Sequence, residues 1–486
     1  MNNIIFNIPK EFILRYYFNE EDSELPDFRS SFMRDRDRVM YSTAFRRLGG
    51  KTQIYTIGID DHRKNRLTHS LEVSQIARTI SKALNLDTDL TEAIALGHDL
   101  GHTPFGHEGE RMLHEIMIPN SQYIKESPYY QCNQNKIQEN LEKLPNSYAD
   151  ICNFDRMFGF KHNIQSLRVA CKIEDSYRDK DGRNIGLNLT NYTLWGILNR
   201  TKIKYNETES FPNYQMQFKR FLTINGLETE AWSLEAHVVR ISDDIAQWHH
   251  DLEDAIRGHA IPLERICYTI EGALQKRLSD NEKRQIENIR DNHIEDRFSI
   301  AALSHIVVNT LVNDICENSY NNLNTIHDEV IRNFPGNKNE DIAKKFYSDY
   351  DHLGLSIPND KIIAFSDKID RKKFIDEIKY QVHHSFDVER MNSKGKYIIR
   401  KLFEAYFSNP QQLPDGYIFH YMVDVHEYDS IEKAKSDGAG IVRTKFNERM
   451  KRANLIDYSI LMRRICDHIA CMTDNYAIEE YHRLYG

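Results

Sequence analysis

The sequence predicts an all-α protein with few or no short strands. Glycine and proline are sparse, at 21 and 12 of 486 residues, and both interrupt helices. Apolar residues recur mainly at spacings of three and four, which is the period of a helix face. One short extended piece is indicated at 53–57 (QIYTI), where β-branched and aromatic residues follow a two-glycine turn. Together these observations favour helices over sheets.

The composition is that of an ordinary soluble globular protein, with 40% hydrophobic and 28% charged residues. The net charge of −9 argues against a dedicated nucleic-acid coat protein. Seven scattered cysteines without a CxxC pair indicate a reduced chain rather than a disulfide framework or a zinc ribbon. The N-terminus has no basic stretch followed by a long apolar one, and no window approaches a membrane span. We expect a cytoplasmic protein without membrane contact.

The chain opens with a predicted N-terminal arm, residues 1–32, and continues with an amphipathic helix at 33–48. Apolar residues lie at roughly helical intervals in this helix, between five arginines and two aspartates. Two explanations of most of these arginines are equally good: they form a solvated charged face of the helix, or they have a functional role.

Two helices are predicted next, and they carry the first candidate ligands. The apolar stripe of 68–84 predicts a helix with His69 at its beginning. Taken alone, His69 is better explained as a capping or surface residue. After a short polar link, a second helix runs into His98 and Asp99, so the two helices bring His69 near that pair. Three ligands from two adjacent helices would begin a metal site, whose fourth ligand can come from far along the chain.

The stretch 93–110, AIALGHDLGHTPFGHEGE, concentrates histidines and acidic residues. Its helical lead-in is broken by Gly101, Pro104 and Gly106, so the later histidines lie on an irregular turn. An adjacent His-Asp pair offers a nitrogen and an oxygen to one divalent ion, a set that suits Mn, Fe, Co, Ni, Zn or Mg. The alternative is a solvated, His-rich turn, because a lone His-Asp pair occurs by chance in many chains.

The middle of the chain is less patterned. Residues 111–160 are rich in Asn, Gln, Tyr and Lys, which predicts a surface insertion or a mobile loop pair. Helical spacing resumes at 160–175, where His162, Asn163 and Gln165 form a polar cluster at the start.

A long helix is predicted at 233–257, with Asp243 and Asp244 in its middle. Ionised aspartates are costly to bury unless they are paired or bound to a metal, so an inward-facing Asp243 needs a cation. The alternative is that both aspartates face water. Later in the chain, amphipathic helices at 396–407 and 461–476 are expected in the core or at subunit contacts.

Two histidine pairs, His249–His250 and His383–His384, have no evident ligand geometry. We assign them mainly to the surface or to positions behind a site.

Taken in order, these stretches resemble the dGTP and dNTP triphosphohydrolases of the HD superfamily, which include bacterial dGTPases and the SAM-and-HD-domain dNTPases. The matching stretches are RDRDRVMYSTAFRRLGGKTQIY (34–55), HRKNRLTHSLEVSQIAR (62–78), GHDLGHTPFGHEGE (97–110), FKHNIQSLRV (160–169), GLNLTNYTL (186–194) and SLEAHVVRISDDIAQWHHDLED (233–254), with weaker matches at 394–406 and 465–477. The resemblance implies an HD-domain helical catalytic core over 33–257. Additional helices over 258–486 would pack on this core and lie in subunit contacts.

The resemblance further implies a metal site formed by His69, His98, Asp99 and Asp243, of which the spacing alone had left Asp243 open. Two neutral imidazoles and two carboxylates nearly neutralise one divalent ion, with Mn or Mg preferred over Co, Fe or Zn. The implied reaction is hydrolysis of a dNTP, with dGTP favoured, at the α-phosphate. Its products would be a deoxynucleoside and inorganic triphosphate.

The same resemblance implies roles beside the metal. His107 is expected as the acid or base of proton transfer, Glu110 as the group that orients or charges it, and His102 as a neighbour of the transferring phosphate. Arg66 suits a phosphate oxygen because its guanidinium is always charged. Asp251 matches the position that accepts from the deoxyribose 3′-hydroxyl.

Further implied contacts concern the sugar, base and polyphosphate. They are Leu48 and Gln53 at the sugar and base, and His162, Asn163 and Gln165 at the polyphosphate or sugar. Gln247 departs from the tyrosine of many relatives, so sugar discrimination by that route stays open.

The family's assemblies imply a homo-oligomer, a dimer-based tetramer or hexamer, and a dNTP or single-stranded DNA effector. Two other functions stay open. One is an HD phosphodiesterase or (p)ppGpp-type hydrolase acting on another nucleotide. The other is a nucleotide- or single-strand-sensing protein with a vestigial site.

Overall fold

The computed structural model describes residues 3–17, 28–53, 64–117, 159–199, 223–224, 229–258, 260–292, 297–453 and 455–486. Helices dominate these ranges. The β-structure within them consists of isolated bridges at Arg15–Thr190, Thr52–Asn65, Arg178–Asn184 and Thr223–Glu230. The predicted all-α class is therefore confirmed.

The first set of helices includes the stretch 93–110, which carries the adjacent His98–Asp99 pair (the HD pair). These helices are α1 (Ser31–Met40), α2 (Thr43–Arg47), α3 (Arg66–Ala83), α4 (Thr88–Gly97), α5 (Gly106–Met117), α6 (His162–Arg168), α7 (Asn191–Asn199) and α8 (Leu234–Arg257). Short 3-10 turns lie at Asn3–Phe6, Lys10–Phe12 and Leu48–Gly50, and a π-turn, Val169–Ile173, continues α6.

The second set follows α8 to the end of the chain. These helices are α9 (Leu263–Leu274), α10 (Asp280–Asp291), α11 (Arg297–Asn333), α12 (Asn339–Ser348), α13 (Arg371–Phe374), α14 (Tyr380–His383), α15 (Phe386–Ser408), α16 (Asp415–Asp424), α17 (Ile431–Asp437), α18 (Ala439–Lys451), α19 (Leu455–Ala470) and α20 (Asp474–Tyr485). A π-turn, Ile375–Lys379, joins α13 to α14, and 3-10 turns lie at Tyr350–His352, Asn359–Lys361 and Pro410–Gln412.

Helices α3, α4 and α8 pack against one another, and α1 and α7 cover α4. Local sequence sets where two of them begin. The Asn65 side chain accepts from the amide of Thr68 in a capping box at α3, and Ser233 accepts from the third residue of α8. The apolar stripes meet in the middle, where Val73, Ile94 and Ile245 are fully buried. Each such side chain contributes about 1.5–3 kcal/mol of stability.

Buried apolar side chains form two cores. The first runs from Ile5 to Val382 and contains the packed faces of α3, α4 and α8. The second contains Phe105, the apolar face of α5 and helices α15 to α20. Because the first core spans the expected boundaries after residues 32 and 257, it marks neither of them, and the domain division stays a prediction.

Three expected elements differ in the structure. The helix expected at 33–48 is interrupted at 41–42, because the Ser42 side chain caps α2 by accepting from the amide of Phe45. The helix expected at 461–476 ends at Ala470, and a new helix, capped by Thr473, begins at Asp474. The expected insertion begins later than 111, since α5 continues to Met117 with its apolar face buried. Residues 118–158 of that insertion and 54–57 of the extended piece lie outside the described residues.

One helix corrects the expectation that no window approaches a membrane span. The segment Phe298–Asn333 contains an 18-residue window with a mean hydropathy of 1.3, long and apolar enough to cross a membrane by length and composition. However, 56% of that window is buried inside the protein. A core helix of a soluble protein has the same character, so this helix is weak support for membrane insertion.

Candidate metal centre

Four side chains converge where α3, α4 and α8 meet. His69 lies on the first turn of α3, His98 and Asp99 directly follow α4, and Asp243 lies midway along α8. The Nε2 atom of His69 is 2.8 Å from Asp243 Oδ1, and the Nε2 atom of His98 is 3.9 Å from the same oxygen. Nε2 of His98 is also 3.2 Å from Asp99 Oδ1. The structure thus brings together the four residues that the resemblance implied as ligands.

The chemistry of this set fits a divalent cation. Nδ1 of His98 lies 2.6 Å from the carbonyl oxygen of Ala95. Because a carbonyl can only accept, Nδ1 carries the proton and a neutral His98 directs the lone pair of Nε2 toward the carboxylates. His69, His98 and Asp99 are at most 2% exposed. Buried carboxylates facing imidazole lone pairs need a positive charge between them, and nitrogen with oxygen donors suits several divalent ions.

Arg66 supplies a fixed positive charge beside these ligands. Its Nη1 atom donates to Oδ2 of Asp99 at 2.7 Å, and its side chain is 3% exposed. Burial alone would raise the pKa of Asp99, but its interactions with His98 and with the Arg66 guanidinium hold that pKa well below its ordinary value. Asp99 is therefore ionised and available to a metal. A Cβ at Gly106 would lie 3.7 Å from Arg66 Nη2, so the guanidinium also borders the turn after the HD pair.

A second cluster lies on that turn and on α6. His102, His107, Glu110 and His162 present nitrogen and oxygen atoms that all lie within 4.8 Å of one another. The rings of His102 and His162 stack with centroids 4.5 Å apart, and the His102 and His107 centroids are 5.1 Å apart. We call these four residues the histidine cluster.

Close packing of α6 on the HD turn brings His162 into the histidine cluster. A Cβ at Gly101 would lie 2.6 Å or less from backbone atoms of three α6 residues, His162, Gln165 and Ser166. This position therefore accepts only glycine. The hydroxyl of Ser166 accepts from the Gly101 amide at 2.9 Å and lies 3.0 Å from the carbonyl oxygen of His98. These contacts fix α6 against the end of the metal-binding segment.

The electrostatics of the histidine cluster favour neutral His102 and His107 beside an ionised Glu110 carboxylate. Burial and the nearby charge of Arg66 lower the pKa of His102 well below its ordinary value. His107 is the exposed member of the histidine cluster, with 47% of its side chain accessible. Protein nevertheless crowds His107 on its other sides, and this desolvation lowers its pKa despite the opposing effect of Glu110. Burial opposes ionisation of Glu110, but His162 and His107 lower its pKa further than burial raises it.

Glu110 has closer partners than the one expected for it. Its carboxylate is hydrogen-bonded to Nδ1 of His162 and accepts from Lys161 Nζ at 2.7 Å, whereas His107 Nδ1 is 3.9 Å away. Glu110 therefore orients His162 directly and acts on His107 mainly through its charge.

The remaining residues expected at the substrate differ in their hydrogen-bond partners and in their positions relative to the turn. Gln165 donates one N–H of its amide to Asp467 at 2.9 Å, which leaves the second N–H of the same nitrogen as a donor. Asn163 is fully buried, and neither atom of its amide has a hydrogen-bond partner in the described residues. Leu48 is fully buried, and a Cβ at Gly106 would lie 3.5 Å from the Gln53 carbonyl oxygen. Gln53 and Arg66 therefore flank the same turn.

Asp251 is fully buried, and neither carboxylate oxygen has a hydrogen-bond partner within the described part of the chain. The imidazole of His383 on α14 lies nearby, with its Nε2 3.7 Å from Asp251 Oδ1. The sequence interpretation missed His383 because it assigned both histidine pairs mainly to the surface or behind a site. The sequence signal for this contact was the predicted role of Asp251. The spacing of residues does not relate α14 to α8, so it could not place His383 beside Asp251.

His250 is 2% exposed and lies behind the metal ligands, which is one of the two positions expected for it from the sequence. Its Nε2 is hydrogen-bonded to Glu72 on α3, and its ring centroid is 5.2 Å from that of His69. The neighbouring His249 is 3.2 Å from Glu253. Both histidines therefore bridge α3 and α8 or extend along α8 instead of pointing to water.

Comparison with known proteins agrees with this arrangement. The family model for the HD domain matches residues 66–139, and the model for the phosphohydrolase-associated domain matches residues 432–483. A deoxyguanosinetriphosphate triphosphohydrolase-like protein of Bartonella tribocorum is 32% identical over 468 residues, which cover 94% of this chain and 90% of the relative. Proteins of the same name from Bartonella quintana and Brucella ovis are each 30% identical, with the same coverage of both chains. The chain therefore belongs to the deoxyguanosinetriphosphate triphosphohydrolase-like family of HD-domain hydrolases.

Proposed function

We propose that this protein hydrolyses a deoxynucleoside triphosphate at the α-phosphorus and releases a deoxynucleoside and inorganic triphosphate. The main support is that two groups of side chains adjoin one turn. Nitrogen and oxygen donors for a divalent ion lie on one side, and the histidine cluster lies on the other. The names of the relatives favour dGTP as the substrate.

His69, His98, Asp99 and Asp243 would hold one divalent ion, with Mn or Mg as the preferred candidates and Co, Fe or Zn as the others. Such an ion supplies Lewis acidity toward the α-phosphate and toward water. Arg66 is placed to bind a phosphate oxygen without leaving Asp99, because only its Nη1 donates to that carboxylate. Its Nε is buried and has no partner in the described residues.

Hydrolysis moves one proton from water to the leaving group. The water oxygen forms a bond to the α-phosphorus, the bond from phosphorus to the 5′-oxygen breaks, and that oxygen gains a proton. We assign the proton transfer to His107, because it is the exposed member of the histidine cluster and Glu110 lies 3.9 Å from it. His102 and His162 line the adjacent wall, where buried imidazole nitrogens can contact the triphosphate.

The sugar end of the substrate is assigned to Asp251. Its two oxygens can accept from the 3′-hydroxyl, and His383 lies 3.7 Å away as a second polar contact. Leu48 and Gln53 are proposed at the sugar and base, and Asn163 is proposed as a donor. Gln165, with one N–H bonded to Asp467, would contribute its second N–H or its oxygen at the polyphosphate or sugar.

The proposal is tested by a substrate panel. The full-length protein, loaded in turn with Mn and Mg, is incubated with the four dNTPs, the four NTPs, cyclic nucleotides and (p)ppGpp, and the products are separated by ion exchange. We expect tripolyphosphate and a deoxynucleoside from at least one dNTP. Orthophosphate or pyrophosphate as the first phosphorus product would contradict cleavage at the α-phosphorus. Turnover of only a cyclic nucleotide or (p)ppGpp would replace the proposed substrate class.

We further propose a cytoplasmic homo-oligomer, a dimer-based tetramer or hexamer, that responds to a dNTP or single-stranded DNA effector. Several large apolar side chains support association because they face outward, among them Phe28 (95% exposed), Phe298 (86%) and Phe386 (75%). Light scattering measures the mass of the assembly, and a change of mass or activity with added dNTP or single-stranded DNA tests the effector. A monomer under all these conditions would overturn the oligomer.

A further inference from the structure

The turn between the HD pair and α5 has an unusual backbone. Phe105 has φ +59° and Gly106 has φ +62°, so two consecutive residues are left-handed. Glycine adopts this conformation freely, but a bulky side chain rarely does and needs neighbours that hold it there. The direction of the chain at Phe105 decides where His107 leaves the turn relative to His102. Contacts that hold Phe105 are therefore contacts that shape the histidine cluster.

A single carboxylate from the far end of the chain holds this backbone. Asp474, the first residue of α20, is fully buried. Its Oδ1 accepts from the amide of Phe105 at 3.0 Å. Its Oδ2 accepts from the amide of Thr52 at 3.1 Å and from the Thr52 hydroxyl. Asp474 thus ties the left-handed turn to the segment that follows the Leu48–Gly50 turn.

A buried lysine makes a parallel link. Lys51 is 1% exposed, and its Nζ atom donates to the carbonyl oxygen of His102 and, at 2.7 Å, to that of Ala470 at the end of α19. The two carbonyls belong to the turn and to the C-terminal helices, respectively. The interruption between α19 and α20 at 471–473, which the helical pattern of the sequence did not reveal, lies between Ala470, bound by Lys51, and Asp474.

The side chain of Phe105 is gripped as well. It belongs to the second core, with the apolar faces of α15 and α19. A Cβ at Gly395 of α15 would lie 2.7 Å from the Cβ of Phe105, so the ring rests directly on the helix backbone. The amide and the side chain of Phe105 are thus held by residues after 390, and Lys51 links the His102 carbonyl to that of Ala470.

We propose that the C-terminal segment completes the active site, and that Asp474 is a positioning residue that fixes the Phe105 turn and thereby the placement of His102 and His107. This gives a role to the segment matched by the phosphohydrolase-associated model, 432–483. The inference rests on the proposed function for its activity measurement only. The geometry of the turn can be tested whether or not a dNTP is the substrate.

The first test compares Asp474→Ala and Asp474→Asn in the metal-loaded, full-length protein. We expect Asp474→Ala to lower kcat by about 100-fold, because misplacing reacting groups by about 1 Å has effects of that size. KM and bound metal should stay at parental values, because Arg66 and the four metal ligands do not contact Asp474. Asp474→Asn keeps an acceptor for the Phe105 amide and should recover part of kcat.

Hydrogen exchange gives a measurement that does not need turnover. The Phe105 amide should exchange faster in Asp474→Ala, while amides within α19 stay protected. The matched control is Asp457→Ala, which removes a carboxylate that is 2% exposed and lies 2.6 Å from Arg449 in the same C-terminal region. This control should lower thermal stability and leave both kcat and Phe105 exchange unchanged. Equal losses of kcat in both variants, or unchanged Phe105 exchange in Asp474→Ala, would overturn the proposal.

A second pair of variants decides the question if Asp474→Ala does not fold. Gly395→Ala places a methyl group against Phe105 but raises the helix propensity of α15. Gly440→Ala makes the same change in α18, where a Cβ would meet no atom within 4 Å. We expect Gly395→Ala to lower kcat and speed exchange at Phe105, and Gly440→Ala to do neither. Parental kcat and exchange in Gly395→Ala would contradict the positioning role.

Discussion

The two neighbouring aspartates of α8 have different surroundings. Asp243 lies 2.8 Å from His69, whereas the side chain of Asp244 is 41% exposed and lies 3.5 Å from Arg371. We expect Asp243→Ala to remove bound divalent metal and activity together, because a carboxylate ligand is lost from the centre. Asp244→Ala is the matched control and should keep both. Metal content is measured by mass spectrometry after gel filtration, and full occupancy in Asp243→Ala would refute this ligand assignment.

The second prediction for a single side chain concerns Asp251 and the 3′-hydroxyl of the substrate. Removing a hydrogen bond to a charged group costs about 1.5–3 kcal/mol, or roughly 10- to 100-fold in kcat/KM. The parent should prefer dGTP over 2′,3′-dideoxy-GTP by about this factor, since only dGTP offers a 3′-hydroxyl to Asp251. Asp251→Ala should lower kcat/KM for dGTP and leave the dideoxy substrate unchanged.

The control for Asp251 is Asp254→Ala, which alters a carboxylate one turn later on α8. It should preserve the preference for the 3′-hydroxyl. If Asp251→Ala lowered kcat/KM equally for both substrates, Asp251 would not contact that hydroxyl.

Among the elements, the helices that carry the metal ligands were the easiest to predict. The apolar stripes of α3 and α8 have the helical period, and Asn65 and Ser233 mark their first turns. Pattern alone passed over the breaks at Ser42 and before Asp474, because capping side chains end one helix and begin another without disturbing the apolar spacing. The period of a helix therefore predicts its axis better than its ends.

The apolar spacing of the sequence could not predict contacts between helices that are far apart in the chain. Gln165 was predicted to contact the substrate, and one N–H of its amide also donates to Asp467 on α19. His383 approaches Asp251 only because α14 lies against α8. Neither contact follows from spacing, since each depends on how helices far apart in the chain pack. The resemblance supplied the residues implied for the site, while the structure supplied their partners.

The first turn of α8 contains a buried glutamate with a consequence for stability. Glu235 is 2% exposed and accepts from the Asp87 amide at 3.0 Å. Burial, together with the charge of Asp87, raises the pKa of Glu235 from 4.5 to about 7. The folded protein therefore holds this proton where the unfolded chain has lost it. The stability that Glu235 contributes is full below its unfolded pKa and decreases as the pH rises to about 7.

Glu235→Gln should remove this dependence, because the amide oxygen still accepts from Asp87 and carries no charge. The melting temperature of the variant relative to the parent should rise between pH 5 and pH 8. The corresponding free energy is at most about 3 kcal/mol, from about 1.4 kcal/mol for each pKa unit. Glu264→Gln, an exposed glutamate on the first turn of α9, is the control. A difference that stayed constant with pH would contradict the raised pKa.

At the scale of the whole molecule, α5 joins the two halves of the proposed site. Its N-terminal residues His107 and Glu110 belong to the histidine cluster, and its apolar face lies in the second core. The metal ligands come from helices packed in the first core. The metal ligands and the α5 residues His107 and Glu110 are thus supported by different cores, and their relative placement depends on how those cores meet.

Matched cavities in the two cores test this arrangement. Phe403 in the second core and Phe346 in the first are both fully buried. Replacing either with alanine should cost about 3–5 kcal/mol of stability. At a temperature well below both melting transitions, Phe403→Ala should also lower kcat, because its cavity loosens the core that holds Phe105 and α5. Phe346→Ala, whose ring packs against Phe6 and Trp232 away from the metal ligands, should lose stability and keep kcat. Bound metal should be unchanged in both variants, which excludes metal loss as the cause of a lower kcat. Equal kcat values for folded Phe403→Ala and Phe346→Ala would show that the second core does not control the Phe105 turn.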